Sequence, residues 1–230
     1  MFLAIDTSTR HAGVALADAR RVVSCRCWFS TVNHTVELMP AVAQTLRGAG
    51  LGARDLEGIA VALGPGGFSS LRVGLSVAKG LALSARIPLV GLGSLELEAF
   101  PYLASGLAVC ALLDAGRSEV AWACFGPDGR RRGEDTISPP DQLLDSVDEP
   151  TLFCGEAVST WTGLIKERLG PKGLVAAYSG PAVRLWSLVE LGRRRLEAGE
   201  VSDLATLQPL YLRMPSIGVA KRRDWAPQRS

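Results

Sequence analysis

The chain opens twice in the same way. One run reads Leu3-Ala4-Ile5-Asp6, a turn, Gly13-Val14-Ala15-Leu16, a polar stretch at Asp18–Arg21, and Val22-Val23-Ser24-Cys25. Another reads Ala111-Leu112-Leu113-Asp114, a turn, Val120-Ala121-Trp122-Ala123 and the polar Pro127–Arg130. Each pattern is an apolar strand ending in an acid, a tight turn, a second strand, a polar hairpin and a third strand. An opening repeated within 230 residues predicts two related lobes. Hydrophobic residues make up 47% of the chain and charged residues 21%, so each lobe has a core to bury and wholesale disorder is excluded.

The segments between the openings change period. Val36, Met39, Ala43 and Leu46 recur at helical spacing over 34–48, with Gly48 and Gly50 as the stop and Pro40 as a kink or first-turn residue. Ile59-Ala60-Val61-Ala62-Leu63 is short and continuously apolar, as in a strand buried on both faces. Leu71–Leu83 reads as a helix and Pro88–Leu92 as the next strand, which makes a right-handed parallel βαβ unit. After the second opening come a weak helix over 140–147, a strand at Thr151–Gly155 and a helix over 158–169. A last helix is capped by Ser179, with Pro181 in its first turn, and buries Ala182, Leu185, Trp186, Val189 and Leu191. The expected division is 1–105 for the first lobe and 106–213 for a second, smaller lobe whose last helix packs back. Residues 214–230 form a flexible basic tail with Lys221, Arg222, Arg223 and a docking Trp225.

Composition narrows the function classes. A net charge of +2 argues against a nucleic-acid coat. Of 25 basic residues only Lys79, Lys166, Lys172 and Lys221 are lysines; the excess of arginine favours forked phosphate and carboxylate contacts or reflects codon supply. No apolar run is long enough for a membrane span, and Met1–Asp6 lacks the basic start of a signal peptide. Cys25, Cys27, Cys110, Cys124 and Cys154 are odd in number without a C-x-x-C pair, so reduced, buried thiols in a cytoplasmic protein are expected. His11 and His34 have no ligand-spaced partner, and no metal site is expected.

Three segments carry candidate chemistry. Asp6-Thr7-Ser8-Thr9 ends a strand with a carboxylate and hydroxyls, which suits a nucleotide or phosphate contact or an ordinary turn. Actin-like ATP-binding lobes place a glycine where this chain has Ser8. Asp114-Ala115-Gly116-Arg117 repeats the acid without the hydroxyls; Arg117 meets an anion or pairs with Glu119. Gly64-Pro65-Gly66-Gly67-Phe68-Ser69-Ser70-Leu71-Arg72 leads into a helix but lacks the lysine of a P-loop. In that helix Ser70, Gly74, Ala78 and Ala82 form a stripe without bulk, flanked by Leu71, Leu75, Val77 and Leu81. Such a stripe packs closely on the chain's own sheet or at a subunit contact. Arg130-Arg131-Arg132 and Arg193-Arg194-Arg195 line solvated faces or hold RNA phosphates, without interleaved aromatics for base stacking.

Laid end to end, these pieces closely resemble the bacterial TsaB family, also called YeaZ. The resemblance rests on Leu3-Ala4-Ile5-Asp6-Thr7-Ser8-Thr9, His34 with Leu38-Met39-Pro40, the Gly64–Leu75 stretch, Ala78-Lys79-Gly80-Leu81-Ala82, Ile87–Gly91, Ser94-Leu95-Glu96 and Pro209–Arg213. Gly67 and Ser70 stand where the family pattern has Ser and Gly. The resemblance implies an α/β, two-lobed actin-like fold (ASKHA, ribonuclease-H-like) with mixed sheets and a reduced second lobe. It implies a non-catalytic subunit in making threonylcarbamoyladenosine at the adenosine after the anticodon of ANN-decoding tRNAs. The partner is then the transferase TsaD, joined by the ATPase TsaE, with a homodimer when the chain is alone and tRNA met only through the complex. Where TsaD carries two metal-binding histidines four apart, this chain has Ser94 and Glu98, two side chains that do not make an equivalent site. The expected partner interface is His34, Leu38, Val42, Ser70, Leu71, Gly74, Val77, Ala78 and Leu81, with no cofactor of its own beyond a nucleotide at the contact with TsaD. On that reading Gly74→Leu or Ala78→Leu blocks association and leaves the chain folded. The alternative is an actin-like ATPase or kinase that uses Asp6 and Asp114.

Overall fold

The computed structural model describes residues 1–30, 34–177 and 180–213. The basic tail, its Trp225 and the Ser179 cap lie outside the described residues. The first lobe holds β1 (Phe2–Asp6), β2 (His11–Ala17), β3 (Val22–Phe29), α1 (His34–Gly48), β4 (Gly58–Gly64), α2 (Phe68–Ala85), β5 (Leu89–Gly93) and α3 (Ser94–Ala99). The second holds β6 (Ala108–Gly116), β7 (Glu119–Phe125), β8 (Arg131–Ser138), α4 (Pro140–Leu144), β9 (Thr151–Cys154), α5 (Val158–Leu169) and β10 (Gly173–Val175), and α6 (Pro181–Glu197) follows.

The repeat extends to the whole topology. One sheet runs β3-β2-β1-β4-β5 and the other, in the matching direction, β8-β7-β6-β9-β10. In each, two hairpins make three antiparallel strands, and two parallel strands continue from the central one. The three-residue β10 had no counterpart in the sequence reading; a strand that short carries no periodicity to detect. Reduction of the second lobe lies in such short pieces, including a five-residue α4.

Side-chain alternation explains the layers. Leu3 and Ile5 on β1 point to one face, with Val14, Leu16, Ile59 and Val61, where α1 and α2 cover them. Ala4, Ala15, Ala60 and Ala62 point to the other, where α6 brings Leu185, Leu188 and Val189. Alanine on the sheet and Gly192 on the helix let α6 sit low; a Cβ on Gly192 would stand 2.7 Å from that of Ala60.

Several expectations are corrected. Val36 and Met39 face outward at 64% and 46% exposure, while Leu38, Val42, Thr45 and Leu46 are the buried residues of α1. Pro40 lies inside that helix, past its first turn. In α6, Ala182 and Trp186 are exposed and Arg184 is buried. Cys110 and Cys154 are buried as expected, but Cys25 and Cys27 are exposed on β3.

Candidate functional site

Asp6 closes β1, and the turn after it is internally satisfied. Ser8 donates from its backbone N and its Oγ to Asp6 Oδ1 at 2.9 and 2.7 Å. Thr7 Oγ1 donates to the carbonyl of Ser70 at 2.7 Å. The glycine loop lies on this turn: Gly67 N donates to Ser8 O at 2.9 Å, and a Cβ on Gly66 would lie 2.1 Å from the same oxygen. Close backbone approach, the usual use of glycine at a phosphate, serves here to hold one loop of the chain against another.

The small stripe of α2 is the continuation of that seam. Ser70, Leu71, Gly74, Ala78 and Ala82 are buried, and Gly74 passes so near Thr7 that a Cβ would meet its Oγ1 at 2.3 Å. Of the residues expected at a partner contact, Leu38, Val42, Ser70, Leu71, Gly74 and Ala78 are thus inside the chain. His34, Val77 and Leu81 remain half-buried, and Leu83 is 64% exposed. The stripe is smooth because the chain's own β1 turn presses on it.

The centre of the site is a residue that the sequence reading missed. Arg184 is 1% exposed and sits on the inward stripe of α6 with Leu185, Leu188, Val189 and Gly192. Its Nε donates to Asp6 Oδ2. Its Nη1 donates to Glu98 Oε1 at 2.9 Å and Glu156 Oε2 at 3.0 Å. Its Nη2 donates to Thr9 Oγ1 at 3.0 Å and the carbonyl of His11 at 2.8 Å. All five guanidinium N–H bonds are used. The partners come from the β1–β2 hairpin, from α3 and from the β9–α5 turn, so one side chain ties both lobes together.

The acids around it divide by environment. Burial pushes Glu98 above the ordinary carboxylate range, against the pull of Arg184. Burial opposes ionisation of Glu156 as well, but bonds from His11, Thr9 and Arg184 outweigh it and hold that carboxyl low. His11 Nδ1 lies 2.8 Å from Glu156 Oε1. A carboxyl whose folded value is lowered lends stability above its unfolded value, and that stability is lost as pH falls through the folded one. Glu156→Gln is therefore expected to lower the urea midpoint clearly at pH 7, and the gap to the unaltered chain should close on acidification.

An inter-lobe cleft of about 690 Å³ opens beside this cluster, lined by Ser8, Arg10, His34, Phe68, Asp114 and Glu156. Asp6, Thr7 and Ser8, expected as nucleotide or phosphate contacts, are at most 1% exposed, and their side-chain oxygens are engaged within the chain. Asp114 is an exposed turn cap that accepts from Gly116 N at 2.8 Å. Glu119 pairs with Arg213. The arginine runs are largely engaged with local acids: Arg131 with Asp135, Arg132 with Glu149, Arg193 with Glu190 and Glu197, Arg195 with Glu96. The donor set does not fit a nucleotide-bound divalent cation, because the carboxylate that would face it is filled by the chain's own guanidinium. Among the described residues no group of three or more His, Cys, Asp or Glu is placed to hold a metal.

Two lobes of matching β-β-β-plus-parallel topology around a cleft define the actin-like fold, here with its strand-end acid neutralised from within. A family model described as TsaD, tRNA N6-adenosine threonylcarbamoyltransferase, matches residues 29–152. The Bacillus subtilis (strain 168) tRNA threonylcarbamoyladenosine biosynthesis protein TsaB is 33% identical, over 92% of this chain and 93% of that one. The Escherichia coli (strain K12) TsaB is 32% identical, over 70% and 71%. The solved structure of YeaZ from Pseudomonas aeruginosa superposes with a TM-score of 0.73 at 28% identity, covering 92% of this chain and 99% of that one. The chain belongs to the TsaB (YeaZ) family of tRNA threonylcarbamoyladenosine biosynthesis proteins.

Proposed function

We propose that the chain is a non-catalytic subunit that docks on a TsaD-type transferase and supports threonylcarbamoyl transfer to the adenosine after the anticodon of ANN-decoding tRNAs. The observation that carries this reading is Arg184 on Asp6: the acid that an actin-like ATPase or kinase would use is already saturated. Glu98, one of the two positions where the transferase would carry histidine, is held by the same guanidinium. Docking is assigned to the outward sides of α1 and α2, where Val36, Met39 and Leu83 are exposed and His34, Val77 and Leu81 half-exposed. Exposed apolar side chains on neighbouring helices suit a partner surface better than solvent. The same face supports self-pairing when the partner is absent, and TsaE and tRNA join through the complex. The chain brings no cofactor of its own; a nucleotide at the contact would meet the cleft at Thr9 and Arg10.

Docking should be weakened at least tenfold, about 1.4 kcal/mol, by Val36→Glu with Met39→Glu. Both side chains are exposed, so the circular dichroism spectrum should not change. Size-exclusion chromatography with the transferase reads the result; normal co-elution sinks this placement. Depletion of the chain should lower threonylcarbamoyladenosine in tRNA by nucleoside mass spectrometry, and robust ATP turnover by the isolated chain would overturn the non-catalytic reading.

A further inference from the structure

Cys110 on β6 and Cys124 on β7 lie directly opposite each other in the antiparallel ladder. Opposite residues in such a ladder have Cα atoms about 4.5 or 5.5 Å apart, according to whether they exchange backbone hydrogen bonds. Both spacings fall within the roughly 4.4–6.8 Å that a disulfide spans, so the strands need not move to be joined. The two sulfurs stand 2.8 Å apart, well inside the 3.8 Å thiol contact between Cys25 and Cys27 on β3. Access separates the pair. Cys110 is buried in the cluster that Val158 and Ile165 of α5 close, whereas Cys124 is only partly buried. In the ladder on its other side Cys124 faces Arg132 of β8.

These surroundings divide the roles. Contact with Cys110 holds the Cys124 thiol below its ordinary range against the opposing effect of burial, and the Arg132 charge acts in the same direction. Burial pushes the Cys110 thiol well up. We propose that Cys110 and Cys124 form a site of reversible oxidative modification, at which a low-molecular-weight disulfide such as glutathione disulfide is the reactant and a cross-strand disulfide the product. The accessible Cys124 thiolate attacks one sulfur of that reactant, whose S–S bond breaks. The first half leaves as a thiol, taking up the proton that Cys124 gave up. Cys110 then attacks Cys124 Sγ and expels the second half, which leaves with the Cys110 proton. Both cysteines are oxidised, and one small disulfide is reduced to two thiols. The product ties the central strand of the second sheet to its neighbour. None of these residues belongs to the Arg184 cluster or to the proposed docking face.

The test incubates the full, reduced chain with glutathione disulfide and maps its peptides by mass spectrometry without reduction. The Cys110 and Cys124 peptides should appear joined, lighter by two hydrogen atoms than their sum. The thermal midpoint should rise by several degrees, as expected for a bond that closes a short loop, and return when a phosphine reduces it. Cys110→Ala should stop at the mixed disulfide, with glutathione retained on Cys124. Cys124→Ala should leave the buried Cys110 unmodified. Cys25→Ser with Cys27→Ser should form the same link as the unaltered chain. Circular dichroism checks that each variant is folded; where one is not, the map of the unaltered chain decides alone. The proposal is overturned if Cys124 of that chain keeps glutathione without linking, if it stays unmodified, or if either cysteine joins to another. A thermal midpoint that falls on linkage overturns it as well, because joining would then distort the strands.

Discussion

Arg184→Met is expected to destabilise the chain by about 3–5 kcal/mol, the range for removing one partner of a buried ion pair. Methionine fills much of the same space, so the cost is electrostatic rather than a cavity. The substitution strands Asp6, Glu98 and Glu156 around a site without the guanidinium, and takes one donor each from Thr9 Oγ1 and the His11 carbonyl. At least one buried acid must then take up a proton. The urea midpoint should fall with little change in slope. Adding Glu98→Gln should recover part of the loss, because that residue's charge is the one burial already disfavours. A loss below about 1 kcal/mol would contradict the cost expected for breaking a buried ion pair and would mean that the guanidinium is not the internal counter-charge of this site.

Arg184 also marks where sequence reasoning stops. The repeat, the βαβ unit and the glycine loop were legible because each is a local pattern with its own period or turn chemistry. In the second sheet the three-strand opening and the parallel strand at Thr151–Gly155 followed from the first by analogy, and β10 did not. The cluster has no such signature: its acids stand at positions 6, 98 and 156, and nothing local links them to 184. The one available signal was an arginine on a helical stripe otherwise made of Leu185, Leu188, Val189 and Gly192. A basic residue at a core position must bring its counter-charges with it, and the strand-end acid Asp6 was the obvious candidate. Reading Asp6 as a ligand for something external missed that it was already spoken for.

The small-residue stripe teaches the converse, and its test is the second large effect. Gly74→Leu is expected to abolish folding, not merely docking. Even the methyl of Gly74→Ala would lie 2.3 Å from Thr7 Oγ1, in a seam where Thr7 is 1% exposed and bonded to Ser70 O. Overpacking of this kind costs about 1–3 kcal/mol. Leucine adds three more carbons at the same point, and α2 cannot retreat without uncovering Leu3, Ile5 and Val61. Thermal unfolding should show Gly74→Ala destabilised and Gly74→Leu without a cooperative transition. Thr7→Ala combined with Gly74→Ala separates the causes: deleting the obstructing hydroxyl should return part of the stability lost to alanine, since residues in contact couple. If Gly74→Leu instead melts like the unaltered chain while failing to bind the transferase, the stripe faces a partner and the seam described here is wrong. Smooth faces invite close approach from either side; what decides is which neighbour is covalently nearer, and Thr7 is supplied by the chain's own first turn.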